Sequence, residues 1–171
     1  MASGIINGKE IGQEIRKSVE QRVTHLKEQG ITPGLAVILV GENPASQTYV
    51  RNKQKSCEAI GIFSELIKLP AEVTENELLE QIRSLNSRED IHGILVQLPL
   101  PKHINEDEVI ATISPEKDVD GFSPVSVGKN DVGSRDILTL YSFWCNETVR
   151  VYRNRSCWKT CGSCRAQSYC R

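Results

Sequence analysis

The sequence predicts an α/β domain: three layers, with a mostly parallel sheet flanked by helices. Two observations carry this. Leu35–Val40 and Gly93–Val96 are short, continuous apolar runs, as strands covered on both faces would be. The segments between the strands space their apolar residues for helices, and strands alternating with helices imply crossover connections and parallel pairing.

In chain order, residues 9–29 form a helix: Ile11, Ile15, Val19, Val23 and Leu26 recur at helical spacing and Gly30 is the stop. Pro33-Gly34 punctuates, and the strand Leu35–Val40 follows. Gly41-Glu-Asn-Pro44 is a turn, and Ala45–Ile60 a second helix ended by Gly61. Phe63–Leu69 alternates apolar and polar residues, the pattern of a half-buried strand. Thr74-Glu-Asn-Glu77 is a capping box opening a helix to about Asn86. Gly93–Val96 is the third strand, and Asn105–Ile113 a short helix.

Ligands of such sheets sit at the carboxyl ends of the strands, so Gly41–Lys53, Gln97–Pro101 and Lys117–Phe122 are the segments to search. Tyr49 and Lys53 are four apart on one helix face, where a phenol and an amine can hold an aromatic substrate and move a proton. For an isolated pair, a surface lysine beside a half-buried tyrosine is the commoner case. Short-chain dehydrogenases share Tyr-x-x-x-Lys, but they need a glycine-rich loop after the first strand, which Gly41-Glu-Asn-Pro44 is not. Gln97 can orient a neighbouring lysine or a ligand, or simply cap its strand. Leu98-Pro-Leu-Pro101 makes a rigid, non-helical exit suited to a site wall. Asp118 and Asp120 flank a turn ended by Gly121. A carboxylate there can take two N–H donors from a guanidine-like ring edge, or serve an Asx-type turn. A calcium loop would need more oxygen ligands and a distal glutamate. His25, His92 and His103 lack metal-ligand spacing and read as structural or surface residues.

Three motifs occur in this order: Ala45-Ser-Gln-Thr-Tyr-Val-Arg-Asn-Lys53, Gly93-Ile-Leu-Val-Gln-Leu-Pro-Leu-Pro101 and Pro115-Glu-Lys-Asp-Val-Asp-Gly-Phe122. Together they resemble the signatures of bifunctional methylenetetrahydrofolate dehydrogenase/methenyltetrahydrofolate cyclohydrolase, over residues 1–129, the family's N-terminal catalytic domain. The resemblance implies NADP-dependent oxidation of 5,10-methylenetetrahydrofolate to the methenyl compound and its hydrolysis to 10-formyltetrahydrofolate. It implies Lys53 as acid/base of the hydrolysis and Tyr49 against the folate's aminobenzoate ring. Gln97 would hydrogen-bond and tune Lys53, Asp120 would grip the pterin's amino edge, and Leu98 and Pro99 would line the substrate site. The methenyl substrate is cationic, so its presence favours a neutral Lys53 amine able to assist attack by water.

Composition divides the chain near Lys129. Residues 1–129 carry a net −5 and residues 130–171 a net +4, and five of the six cysteines and both tryptophans lie in the last 28 residues. The family's Gly-Arg-Ser nucleotide loop is not readable there. Cys157-x-x-x-Cys161-x-x-Cys164 with Cys170 admits an iron–sulfur or zinc site, or disulfides, which a cytosolic protein rarely keeps. A third reading is a shifted frame. Trp is always TGG, so reading one base later turns Trp144 and Trp158 into glycines with no freedom. The codons permitted for the stretch from Trp158 to Arg171 then include G-K-H-A-V-V-V-G-R-S-H-I-V-G, which looks like the missing loop. The expectation is therefore an out-of-frame, poorly ordered tail over 130–171, no metal, no nucleotide-binding domain and no dehydrogenase activity. The family's dimer contacts involve that second domain and are not expected of this chain. No apolar run of 18 residues predicts a spanning helix, and the N-terminus lacks a basic region followed by an apolar core. With near-zero net charge, the expectation is a cytoplasmic protein without nucleic-acid or membrane partners, acting on a folate.

Overall fold

The structure, a computed structural model, describes residues 8–131, with 129–131 described in backbone only. The helices are α1 (Gly8–Glu28), α2 (Pro44–Ala59), α3 (Glu75–Ser87), α4 (Glu106–Thr112) and α5 (Pro124–Asp131); the strands are β1 (Gly34–Val40), β2 (Phe63–Leu69) and β3 (Gly93–Val96). The strands form one sheet in the order β2-β1-β3, parallel throughout. Each element from the sequence is present, with ends shifted by a residue.

Alternate residues of β1 face opposite layers, which explains its unbroken apolar run. Ala36, Ile38 and Val40 join Ile94 and Val96 under Leu78, Leu79, Ile82 and Leu85 of α3 and Val109 of α4. Val37, Leu39 and Leu95 face the other way, onto Val50 of α2. β2 is the sheet's edge and is only partly covered, in keeping with its alternating sequence. The capping box is realised: Glu77 N–H donates to Thr74 Oγ1 (3.3 Å) and Thr74 N–H to Glu77 Oε2 (2.9 Å).

Two contacts hold the segment that follows α4 against the sheet. Ile94 N–H donates to Lys117 O (2.7 Å), and Ile94 and Asp118 form a one-residue parallel bridge along the outer edge of β3. Lys117 Nζ caps the end of α3, donating to Leu85 O (3.2 Å), Asn86 O (2.8 Å) and Arg88 O (2.6 Å). A cation there meets the free carbonyls and the negative end of the helix.

α5 departs from the expectation, which placed no element after Ile113. Ser123 Oγ accepts from Ser126 N–H (3.1 Å) and Pro124 occupies the first helical position. A serine followed by proline is a helix-start signal that a short segment without apolar periodicity conceals. The helix runs through the expected boundary at Lys129 to Asp131. The tail beyond it, with its cysteines and the expectation of disorder, lies outside the described residues. No described helix is long and apolar enough to cross a membrane.

Candidate active site

α2 starts just past the carboxyl end of β1 and sets Tyr49 and Lys53 on one face. Lys53 Nζ stands 5.0 Å from the centroid of the Tyr49 ring, a cation held over a π face. Tyr49 is 59% exposed, not half-buried, which leaves ring surface open to a ligand.

Gln97 follows β3, its N–H donating to Ile38 O (2.9 Å) and fixing the backbone at the strand's end. Its side-chain Nε2 donates to Leu98 O (2.8 Å). Its Oε1 is buried and has no partner among the described residues. Lys53 therefore rests on Tyr49 and not on Gln97, and a buried acceptor is left wanting a donor. The Leu98–Pro99 peptide bond is cis.

The two aspartates of the 118–122 turn divide the roles that the sequence left open for both. Asp118 is 3% exposed and wholly engaged. Gly121 N–H donates to its Oδ1 (2.8 Å), and Ser123 N–H (2.9 Å) and Ser126 Oγ (3.0 Å) donate to its Oδ2. Gly121 has φ +65°, a conformation natural to glycine. Asp118 is thus the turn's anchor and leaves Asp120 free for other work. Burial holds the Asp120 carboxyl above the ordinary carboxylate range; Lys53 opposes this and Asp118 reinforces it. Lys53 therefore lies close enough to Asp120 for its charge to act on that carboxyl. Cys57, one turn beyond Lys53, is a free thiol that burial and Glu58 push up, with Lys53 opposing.

Leu98 and Asp120 line one shallow groove with Ile94, Val96, Val109 and Phe122. Pro99 is not among the groove's lining residues. Sequence reasoning passed over Phe122, although a large apolar residue in a polar turn was a usable signal. The histidines are structural or superficial. His92 Nδ1 accepts from Gly34 N–H (3.1 Å), His103 Nε2 contacts Val73 O (2.8 Å), and His25 lies by Glu28 at 3.5 Å. Among the described residues, no group of three or more His, Cys, Asp or Glu could hold a metal ion.

A nucleotide does not fit at the first strand–helix junction. Asn43 Oδ1 already accepts from Ala45 N–H (2.9 Å) and Ser46 N–H (3.2 Å), and Pro44 has no N–H to offer a phosphate.

A family model described as "Tetrahydrofolate dehydrogenase/cyclohydrolase, catalytic domain" matches residues 6–120. The bifunctional protein FolD of Lysinibacillus sphaericus is 73% identical over 143 residues, covering 84% of this chain and 50% of that one. Its counterpart from Bacillus mycoides is 56% identical over 138 residues, covering 81% and 48%. A crystal structure of the bifunctional FolD methylenetetrahydrofolate dehydrogenase/cyclohydrolase from Campylobacter jejuni superimposes with TM-score 0.85 at 42% identity, covering 88% of this chain and 54% of that one. The enzyme of Trypanosoma brucei, solved with NADP cofactor and inhibitor, gives TM-score 0.79 at 34% identity, covering 95% and 55%. The chain thus spans about half the length of these relatives.

Proposed function

The chain belongs to the tetrahydrofolate dehydrogenase/cyclohydrolase family, and from that premise we propose that residues 8–131 form the folate-binding, hydrolytic half of such an enzyme. The observation that carries this is the convergence of an exposed ring, a cation and a free carboxylate: Tyr49 under Lys53, with Asp120 electrostatically coupled to the same lysine. These groups suit the three parts of a methenyltetrahydrofolate. Asp120 takes the amino and ring N–H edge of the pterin, the Tyr49 ring stacks on the aminobenzoate, and Lys53 faces the cationic methenyl carbon between them. Leu98 contributes the wall.

Hydrolysis then needs protons moved in both steps. Water adds to the methenyl carbon and neutral Lys53 takes the proton released; the C–N5 bond of that carbinolamine then opens as the Lys53 ammonium returns the proton to N5 and the hydroxyl gives its own to solvent, which leaves the formyl group on N10 and one proton released overall. Gln97 Oε1, buried without a donor, is the acceptor that would draw the Lys53 amine off Tyr49 once a substrate ring claims that face. In full-length relatives NADP supplies a hydride acceptor for the oxidation. The first strand–helix junction does not fit that nucleotide, so no step here runs through it.

The test is turnover of 5,10-methenyltetrahydrofolate by the purified 171-residue chain, followed as loss of its absorbance, beside Lys53→Met. Hydrolysis lowered at least about a hundredfold in the variant is expected of a general acid/base. Equal rates would refute the assignment. Rates at background for both, with folate still bound, would favour a second reading, a folate-binding module without turnover. The resting place of Lys53 away from Gln97 is the observation that keeps that reading open.

A further inference from the structure

Phe122 is 54% exposed, a large ring offered to solvent in a turn that is otherwise tightly held. Its two backbone neighbours are bonded to one buried carboxylate: Gly121 N–H to Asp118 Oδ1 and Ser123 N–H to Asp118 Oδ2. Ser126 Oγ braces the same oxygen from α5. The ring is therefore presented on a pinned backbone, with little ordering left to be done on contact. Exposing an aromatic side chain has a hydration cost, and this one lies at a groove rather than on open surface. It shares the groove with Asp120, two residues before it, and with Leu98.

We propose that Phe122 is a substrate-binding residue, the aromatic wall on which the flat bicyclic head group of a folate rests while Asp120 takes its donor edge. This rests on the folate reading above and adds to it the residue that selects the head group. A carboxylate alone accepts any guanidine-like edge. A carboxylate beside a fixed aromatic face selects a planar heterocycle carrying that edge. Tyr49 serves the other ring of the same ligand, so the two aromatics divide the molecule between them.

Isothermal titration of the full 171-residue chain tests this, with 5-formyltetrahydrofolate as the whole ligand and pterin-6-carboxylic acid as the head group alone. Phe122→Ala is expected to weaken both by about tenfold, the scale of losing one stacked ring. Phe122→Tyr should bind within about threefold of the parent chain, because the face is kept. Tyr49→Leu should weaken only the whole ligand. Unchanged melting temperatures in Phe122→Ala, whose side chain is mostly outside the core, keep the loss from being one of folding. Affinity of Phe122→Ala equal to the parent's would overturn the proposal. So would loss on the whole ligand with none on the head group. If the parent chain binds and Asp120→Asn does not, while Phe122→Ala binds normally, only this inference fails. If the parent chain binds neither ligand, the folate reading fails and this one with it.

Discussion

Asp118 carries more of this domain's order than its position in a surface turn suggests. Its carboxylate takes three hydrogen bonds while 3% exposed, and two of the donors, Gly121 N–H and Ser123 N–H, belong to buried residues with no alternative acceptor in the turn. Asp118→Ala leaves both amides orphaned. At about 1–3 kcal/mol for each unsatisfied buried donor, the loss is about 2–6 kcal/mol. That is a large share of the roughly 5–15 kcal/mol that holds a domain of this size together. Asp118→Asn keeps one acceptor oxygen, which can stay with Ser123 and Ser126 and abandon Gly121, so the cost falls to about 1–3 kcal/mol. Ser126→Ala removes one hydroxyl donor and orphans no amide, at about 1 kcal/mol. Urea titration at neutral pH should rank the three as Ala at 118, Asn at 118, Ala at 126. Folate titration of the folded Asp118→Asn chain should show weakened binding, because Asp120 and Phe122 sit on the turn it anchors. An Asp118→Ala chain within about 0.5 kcal/mol of the parent would refute the reasoning, since the orphaned amides would then have found water or each other at no cost.

Gly93→Ala would set a Cβ 2.5 Å from Val119 Cγ1 and 3.3 Å from Leu35 Cδ1, so thermal unfolding should show about 1–3 kcal/mol of overpacking strain. Lys117→Met keeps the alkyl stem and loses the three carbonyl contacts at the end of α3. About 1.5–3 kcal/mol should go, read by urea titration, with helix content lowered little by circular dichroism. Asp120→Asn should trade binding for stability. Burial raises the Asp120 carboxyl in the folded chain, so folding favours its protonated form. That contribution is full below the ordinary carboxylate range and is lost as pH rises through the raised folded value. The variant should therefore gain in melting temperature over the parent between acidic and neutral pH, and a gap that does not change with pH would refute the cause given.

Periodicity made most of this fold legible. The β1 run, the capping box at Thr74 and the stripe of α1 are local patterns, and local physics decides them: one residue in two or one in 3.6 must meet the core. That Tyr49 and Lys53 stand together was legible for the same reason, since side chains four apart on a helix must share a face. α5 was missed because its start signal, Ser123-Pro124, opens a helix of only eight residues with no core stripe. The resting place of Lys53 was not legible, because a side chain between two possible partners chooses by distance, which spacing along the chain does not encode.

By itself, then, the sequence determined the strands, the helices joining them, and which residue types stand at the strands' carboxyl ends. Only the tertiary structure decided how adjacent residues divide their work. Asp118 and Asp120 are indistinguishable as letters. One is drawn into the turn because two amides and a hydroxyl converge on it. The other is left within reach of the charge of Lys53, which is 67 positions away in the chain. Convergence of donors from separate segments is a property of packing, and it is what turns one carboxylate into scaffold and leaves the other outside that network.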